Sequence, residues 1–130
     1  MTYHDWHLAG YAVSDGGASI RLRLRWPYAG SERADTCIDF DGVALYRFIH
    51  TQGAILTDIE ERDIGAILDE HEDYLSACAR RQGVAGWRTS FEAYKDHLRG
   101  AGLKGWTVDS AIGFSGFVIA RRMHQPASGG

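Results

Sequence analysis

The sequence predicts an α+β domain: an antiparallel sheet of about five to six strands with two helices packed on one face. Three observations carry that reading. Residues 20–26 alternate strictly between apolar side chains and arginine, the period of a strand with one buried face. Residues 64–78 change to apolar spacings of three and four, the period of an amphipathic helix. Strand signals come first, helix signals second and strand signals again last, an order that lays helices over an antiparallel sheet.

Ile20, Leu22, Leu24 and Trp26 are expected to face the core, leaving Arg21, Arg23 and Arg25 on the open side. Ser14-Asp15-Gly16-Gly17 supplies turn residues, so residues 6–13 form the partner strand of an N-terminal hairpin. A two-residue turn would send His7, Ala9 and Tyr11 inward, whereas a three-residue turn with a bulge would send Trp6 and Leu8 inward. Residues 35–40 and 43–49 read as strand, with Asp41-Gly42 either a hairpin turn or a bulge. His50-Thr51-Gln52-Gly53 interrupts the pattern before a further short strand over 54–59.

One helix is expected from Ile64 to Cys78, capped by Asp63 and stopped near Gly83. A second begins at Thr89, which has capping-box spacing to Glu92, and ends at Gly100. Residues 106–110 and 116–121 are strand again, either one strand broken at Gly113 or a closing hairpin. The two helices are expected to bury the Ile20, Leu22 and Leu24 face. The expected domain covers 1–123, with a mobile tail over 124–130.

A chain of 130 residues, 45% hydrophobic and 24% charged, has the size and makeup of one globular domain. No apolar run approaches the roughly 18 residues of a membrane span, and the first residues lack a signal-peptide profile, so a cytoplasmic protein without membrane contact is expected. A net charge of -3 speaks against a dedicated nucleic-acid binder. Cys37 and Cys78, the only cysteines, are expected to be reduced thiols. The preference for Arg over Lys and the absence of Asn suggest a GC-rich bacterial genome.

Arg21, Arg23 and Arg25 stand about 7 Å apart on one strand face. Such a row can grip a phosphate, a carboxylate or an acidic protein surface. It can also be a solvated ladder, because either antiparallel register with residues 35–41 sets two arginines opposite carboxylates. One register places Arg25 opposite Asp35 and Arg21 opposite Asp39; the other places Arg23 opposite Asp39. His71 lies on the apolar stripe of the first helix, where a histidine is either a packed core residue or a base in a cleft. Trp87, after Gly83-Val84-Ala85-Gly86, is either a core residue or a partner contact.

His4-Asp5-Trp6-His7 looks metal-like, but residues three apart on a strand face opposite ways, and no metal site or cofactor is expected. Gly100-Ala101-Gly102-Leu103-Lys104-Gly105 has the letters of a dinucleotide fingerprint in the wrong context, after a helix instead of before one. No nucleophile elbow, Walker loop or paired-cysteine motif is present, so no catalytic residue is assigned.

His4-Asp5-Trp6-His7-Leu8, Phe40-Asp41-Gly42-Val43, Ile55-Leu56-Thr57-Asp58-Ile59 and Ile112-Gly113-Phe114-Ser115-Gly116-Phe117-Val118 together resemble small uncharacterised bacterial proteins, some of them similar to toxin-immunity proteins. The resemblance spans most of the chain, rests on core and turn residues, and implies a compact cytoplasmic domain that binds another protein. The expected function is therefore protein binding, immunity-like or homodimerising. The alternative is a small-molecule or anion binder, or an enzyme, using the Arg21, Arg23 and Arg25 face or His71.

Overall fold

A computed structural model describes residues 3–28 and 34–125. The elements run β1 (His7–Ser14), β2 (Ser19–Arg25), β3 (Thr36–Asp41), β4 (Leu45–Arg62), α1 (Ile64–Glu70), α2 (Glu72–Arg81), α3 (Phe91–Gly100), β5 (Lys104–Ala120) and β6 (Arg122–His124). All strands join one antiparallel sheet in the order β5-β4-β1-β2-β3-β6. Its two end strands, β5 and β6, are separated by Arg121 alone. In a flat sheet those ends would lie five strand spacings apart, about 24 Å, whereas two residues span at most about 7 Å. The sheet must therefore curl into a half-barrel, and Arg121 closes one end by donating its backbone N–H to Asp41 O at 3.0 Å.

The curl relocates the helices relative to the sequence expectation. Ile20, Leu22 and Leu24 are buried not by helices but by the opposite wall of the same sheet, in a concave core with Phe40, Trp106 and Val108. The helices form a second core on the outer side of β4 and β5, where Ile67, Leu68, Leu75 and Leu98 meet Phe117 and Ile119. Phe117, Val118, Ile119 and Ala120 have no exposed surface, so this part of β5 is buried on both faces and separates the two cores. The connectivity explains the arrangement: the helical segment leaves the end of β4 and returns into β5, its direct neighbour, so it is tethered over that pair.

Among the described residues there are also three α-helices, not two. The expected first helix breaks at His71, whose φ of -117° and ψ of 16° leave the helical region. Asp63 caps α1 as anticipated, accepting from Ala66 N at 3.0 Å. For α3 the cap is Ser90, which accepts from Ala93 N at 3.1 Å, one residue later than the Thr89 capping box predicted.

The N-terminal hairpin takes neither anticipated register alone. Ser14 pairs with Ser19 across a connection in which Asp15, Gly16 and Gly17 have positive φ, and Tyr11 pairs with the inward Leu22. A bulge between Leu8 and Gly10 then changes the phase, so Leu8 pairs with Leu24 and is buried together with Trp6. β4 is one strand through the His50–Gly53 interruption: between the His50↔Phe114 and Ile55↔Ile112 pairs it advances five residues against two in β5. Gly113, at φ 83°, accommodates that excess because a Cβ there would lie 3.0 Å from Ala54 N. β5 is likewise continuous, not a hairpin. Of the expected tail, His124 pairs with Asp39 in β6 and Gln125 Nε2 donates to Thr36 Oγ1 at 2.9 Å, while 126–130 lie outside the described residues.

Candidate functional site

Among the described residues the helices cover only the part of the outer surface made by β4 and β5, and Arg21, Arg23 and Arg25 on the convex face of β2 are exposed. The observed β2–β3 register is the first of the two anticipated, with Arg21 opposite Asp39 and Arg23 opposite Cys37. Arg21 makes a bidentate pair, Nε to Asp39 Oδ1 at 2.7 Å and Nη2 to Oδ2 at 2.8 Å, and this pair raises its pKa further. Arg25 differs from the ladder expectation. The β2–β3 pairing stops at Leu24↔Thr36, one residue before Asp35, and no ion pair forms at Arg25 among the described residues.

Arg23 is also without a carboxylate among the described residues, and its position is set by a feature that carries no sequence signature. It lies across Gly10, the residue at the β1 bulge, where a Cβ would come within 2.6 Å of Nη2. The absent side chain lets the guanidinium lie over β1. Nothing local to Gly10 marks this role, because the bulge that places it opposite Arg23 depends on pairing.

From Arg25 the register continues across the sheet as Arg25↔His7, His7↔Ile55 and Ile55↔Ile112. Paired residues share a sheet face, so these four side chains form a row spanning about 14 Å. Ile112 is 57% exposed and Tyr28, stacked edge-on against His7 at 6.0 Å, is 48% exposed. The open face thus combines two guanidinium groups that lack ion-pair partners among the described residues with an apolar and aromatic strip. At its far edge Asp41 accepts from Arg122 Nε at 3.0 Å and contacts His124 Nε2 at 2.8 Å; these bonds hold its carboxyl below the usual range although desolvation opposes them.

The other sequence candidates lie elsewhere. His71 sits against Phe117 with ring centroids 4.6 Å apart, and its Nδ1 is 3.0 Å from Arg47 Nη1. Burial first, and the Arg47 charge second, lower its pKa. Arg47 also lies 3.8 Å over the Tyr74 ring, so His71, Arg47 and Tyr74 link the helix break to β4. Trp87 is half-buried in the helical core, stacked on Tyr94 at 5.2 Å. Neither adjoins the arginine row. Cys37, on the convex face, and Cys78, in α2, are both free thiols.

Lys95 was not anticipated. It is 6% exposed, with Nζ 2.7 Å from Asp69 Oδ1 and 2.8 Å from Glu92 Oε1, and these bonds raise its pKa. The Glu92–Lys95 spacing was a readable helix pair, but the reach to α1 was not. Among the described residues no three His, Cys, Asp or Glu side chains converge as a metal site, and no helix is long and apolar enough to cross a membrane. Compared with protein-family models, curated proteins and solved structures, the chain finds no match.

Proposed function

We propose that this chain is a protein-binding module that docks an acidic surface of another protein on its convex sheet face, with Arg23 and Arg25 as the central contacts. The observation that carries the reading is the pair of neighbouring guanidinium groups on one rigid strand, without ion-pair partners among the described residues and bordered by Ile112, Ile55 and Tyr28. Arginine and tyrosine beside an apolar strip is the composition of interface hot spots. The fork of each arginine suits carboxylates, and a rigid strand reduces the ordering cost of docking.

A different protein is favoured over a second copy. A two-fold contact centred on Arg23 and Arg25 would set arginine against arginine. The chain's acidic run Asp69, Glu70, Glu72 and Asp73 lies by the helices, so a complementary self-contact through that run would be head-to-tail, giving a ring or an open filament and not a two-fold dimer. The immunity-like resemblance and a cytoplasmic setting belong to the same proposal.

The test is capture from a lysate of the source organism by the tagged chain and by an Arg23→Glu/Arg25→Glu variant. The expected result is a partner with an acidic surface, retained by the native chain, released by salt and lost by the variant at unchanged thermal stability. Equal retention by the variant would move the interface off this face.

A further inference from the structure

Away from the convex face, a cleft of about 700 Å³ opens between the C-terminal part of α3, the β1–β2 turn, the β3–β4 connection and the α2–α3 connection. Its volume falls in the range of small-molecule sites. Ala18, Val43, Ala44, Leu98, Ala101 and Leu103 belong to its apolar wall. No acidic side chain lines this cleft among the described residues. Its charged group is Arg121, which has no acidic partner among the described residues.

The walls are tied together by backbone bonds. Val43 N donates to Ala18 O at 2.9 Å, joining two of the loops, and Ala44 N donates to Ile119 O at 2.9 Å. Arg121 is anchored through its own N–H to Asp41 O at 3.0 Å and Gly42 O at 3.2 Å, with its side-chain stem lying over Gly42. On the opposite wall His97 rests against Gly86, at 3.1 Å from where a Cβ would stand. Behind Gly86 lies Tyr94, buried, its hydroxyl without a hydrogen-bond partner among the described residues. Desolvation pushes that phenol up to about 12, so it stays protonated.

We propose that this cleft binds a small organic monocarboxylate, with the carboxylate on the Arg121 fork and the apolar body against the alanine and leucine wall. One guanidinium matches one carboxylate in a bidentate pair. The negative C-terminal end of α3 opposes any anion in the cleft, so a single charge matched by Arg121 is favoured over the double charge of phosphate, which one arginine does not offset. The site is separate from the arginine row, so its test is independent of the docking proposal.

The experiment is an amide NMR titration of the whole chain with benzoate, 2-naphthoate, indole-3-acetate and octanoate, with 2-naphthamide as neutral isostere and inorganic phosphate as small anion. At least one carboxylate is expected to bind saturably, shifting amides in 42–46, 97–103 and 121. Affinity is expected to fall about tenfold in Arg121→Gln, a variant of an exposed side chain, at unchanged melting temperature. Naphthamide and phosphate are expected to bind at least about tenfold more weakly. The proposal is overturned if no carboxylate binds at low millimolar concentration, if the shifts lie elsewhere, if Arg121→Gln binds equally, or if the amide or phosphate binds as well.

Discussion

Arginine can only donate hydrogen bonds, so the 3.0 Å contact from Arg47 requires His71 Nδ1 to accept and the ring to be the neutral Nε2–H form. That ring has no lone pair free for general-base work, and its packing on Phe117 gives it a structural task instead. Burial and Arg47 place its folded pKa below the unfolded value near 6.5. Between those two values the unfolded chain binds more protons, so the contribution of His71 is fully present above about pH 6.5 and is lost as pH falls toward the lower folded value. His71→Gln should therefore flatten the stability profile over about pH 7 to 5, read by chemical denaturation at each pH. Identical slopes in the two proteins would contradict this account. Gly10→Ala should lift Arg23 from its place over β1 and weaken capture of the partner, with a smaller effect when Arg23 is already glutamate.

Among the elements, α3 and its partners offer the clearest measurements. Ser90→Ala removes an oxygen that accepts from Ala93 N at 3.1 Å and should cost about 1 kcal/mol in denaturant unfolding. Ile67→Ala empties a position with no exposed surface at the junction of α1 and β5, and should cost about 2–5 kcal/mol. A loss below about 1 kcal/mol at Ile67 would mean that the helical core is looser than described. These elements also show what was legible in the sequence. Strict alternation over 20–26 identified β2 and its inward residues, because side-chain direction in a strand follows from period alone. The bulge at Leu8/Gly10 and the excess in β4 near Gly53 were not legible in the same way, because each is a mismatch between two strands. The break at His71 was hidden because both halves of the helix keep one apolar stripe, and only the contact with Arg47 and Phe117 marks it.

For the whole molecule, the sheet's closure decides the architecture. The sequence indicated which residues are apolar but not that one sheet would curl to cover its own inner face, since that depends on β5 and β6 lying at opposite ends of it. The doubly buried run Phe117-Val118-Ile119-Ala120 is the one local sign, four consecutive apolar residues in a strand otherwise expected to have a wet side. Because that run belongs to both cores, they should unfold together. The indole NMR signals of Trp87 in the helical core and of Trp106 in the concave core should give coincident denaturation curves for the native chain and for Leu22→Ala. Separate midpoints would make the cores independent units. The arginine row is legible in the alternation of residues 20–26 alone. Its division into one paired and two unpaired guanidinium groups among the described residues, and its adjacency to Ile55 and Ile112, follow from the strand register.

The central claim is that the open face of this curled sheet is a docking surface for an acidic protein. It is tested most directly by hydrogen–deuterium exchange on the chain with and without its captured partner. The account predicts slowed exchange in β1 and β2 and around Ile112, with the helices unchanged. Protection confined to the helices, with the convex face exchanging as in the free chain, would contradict it.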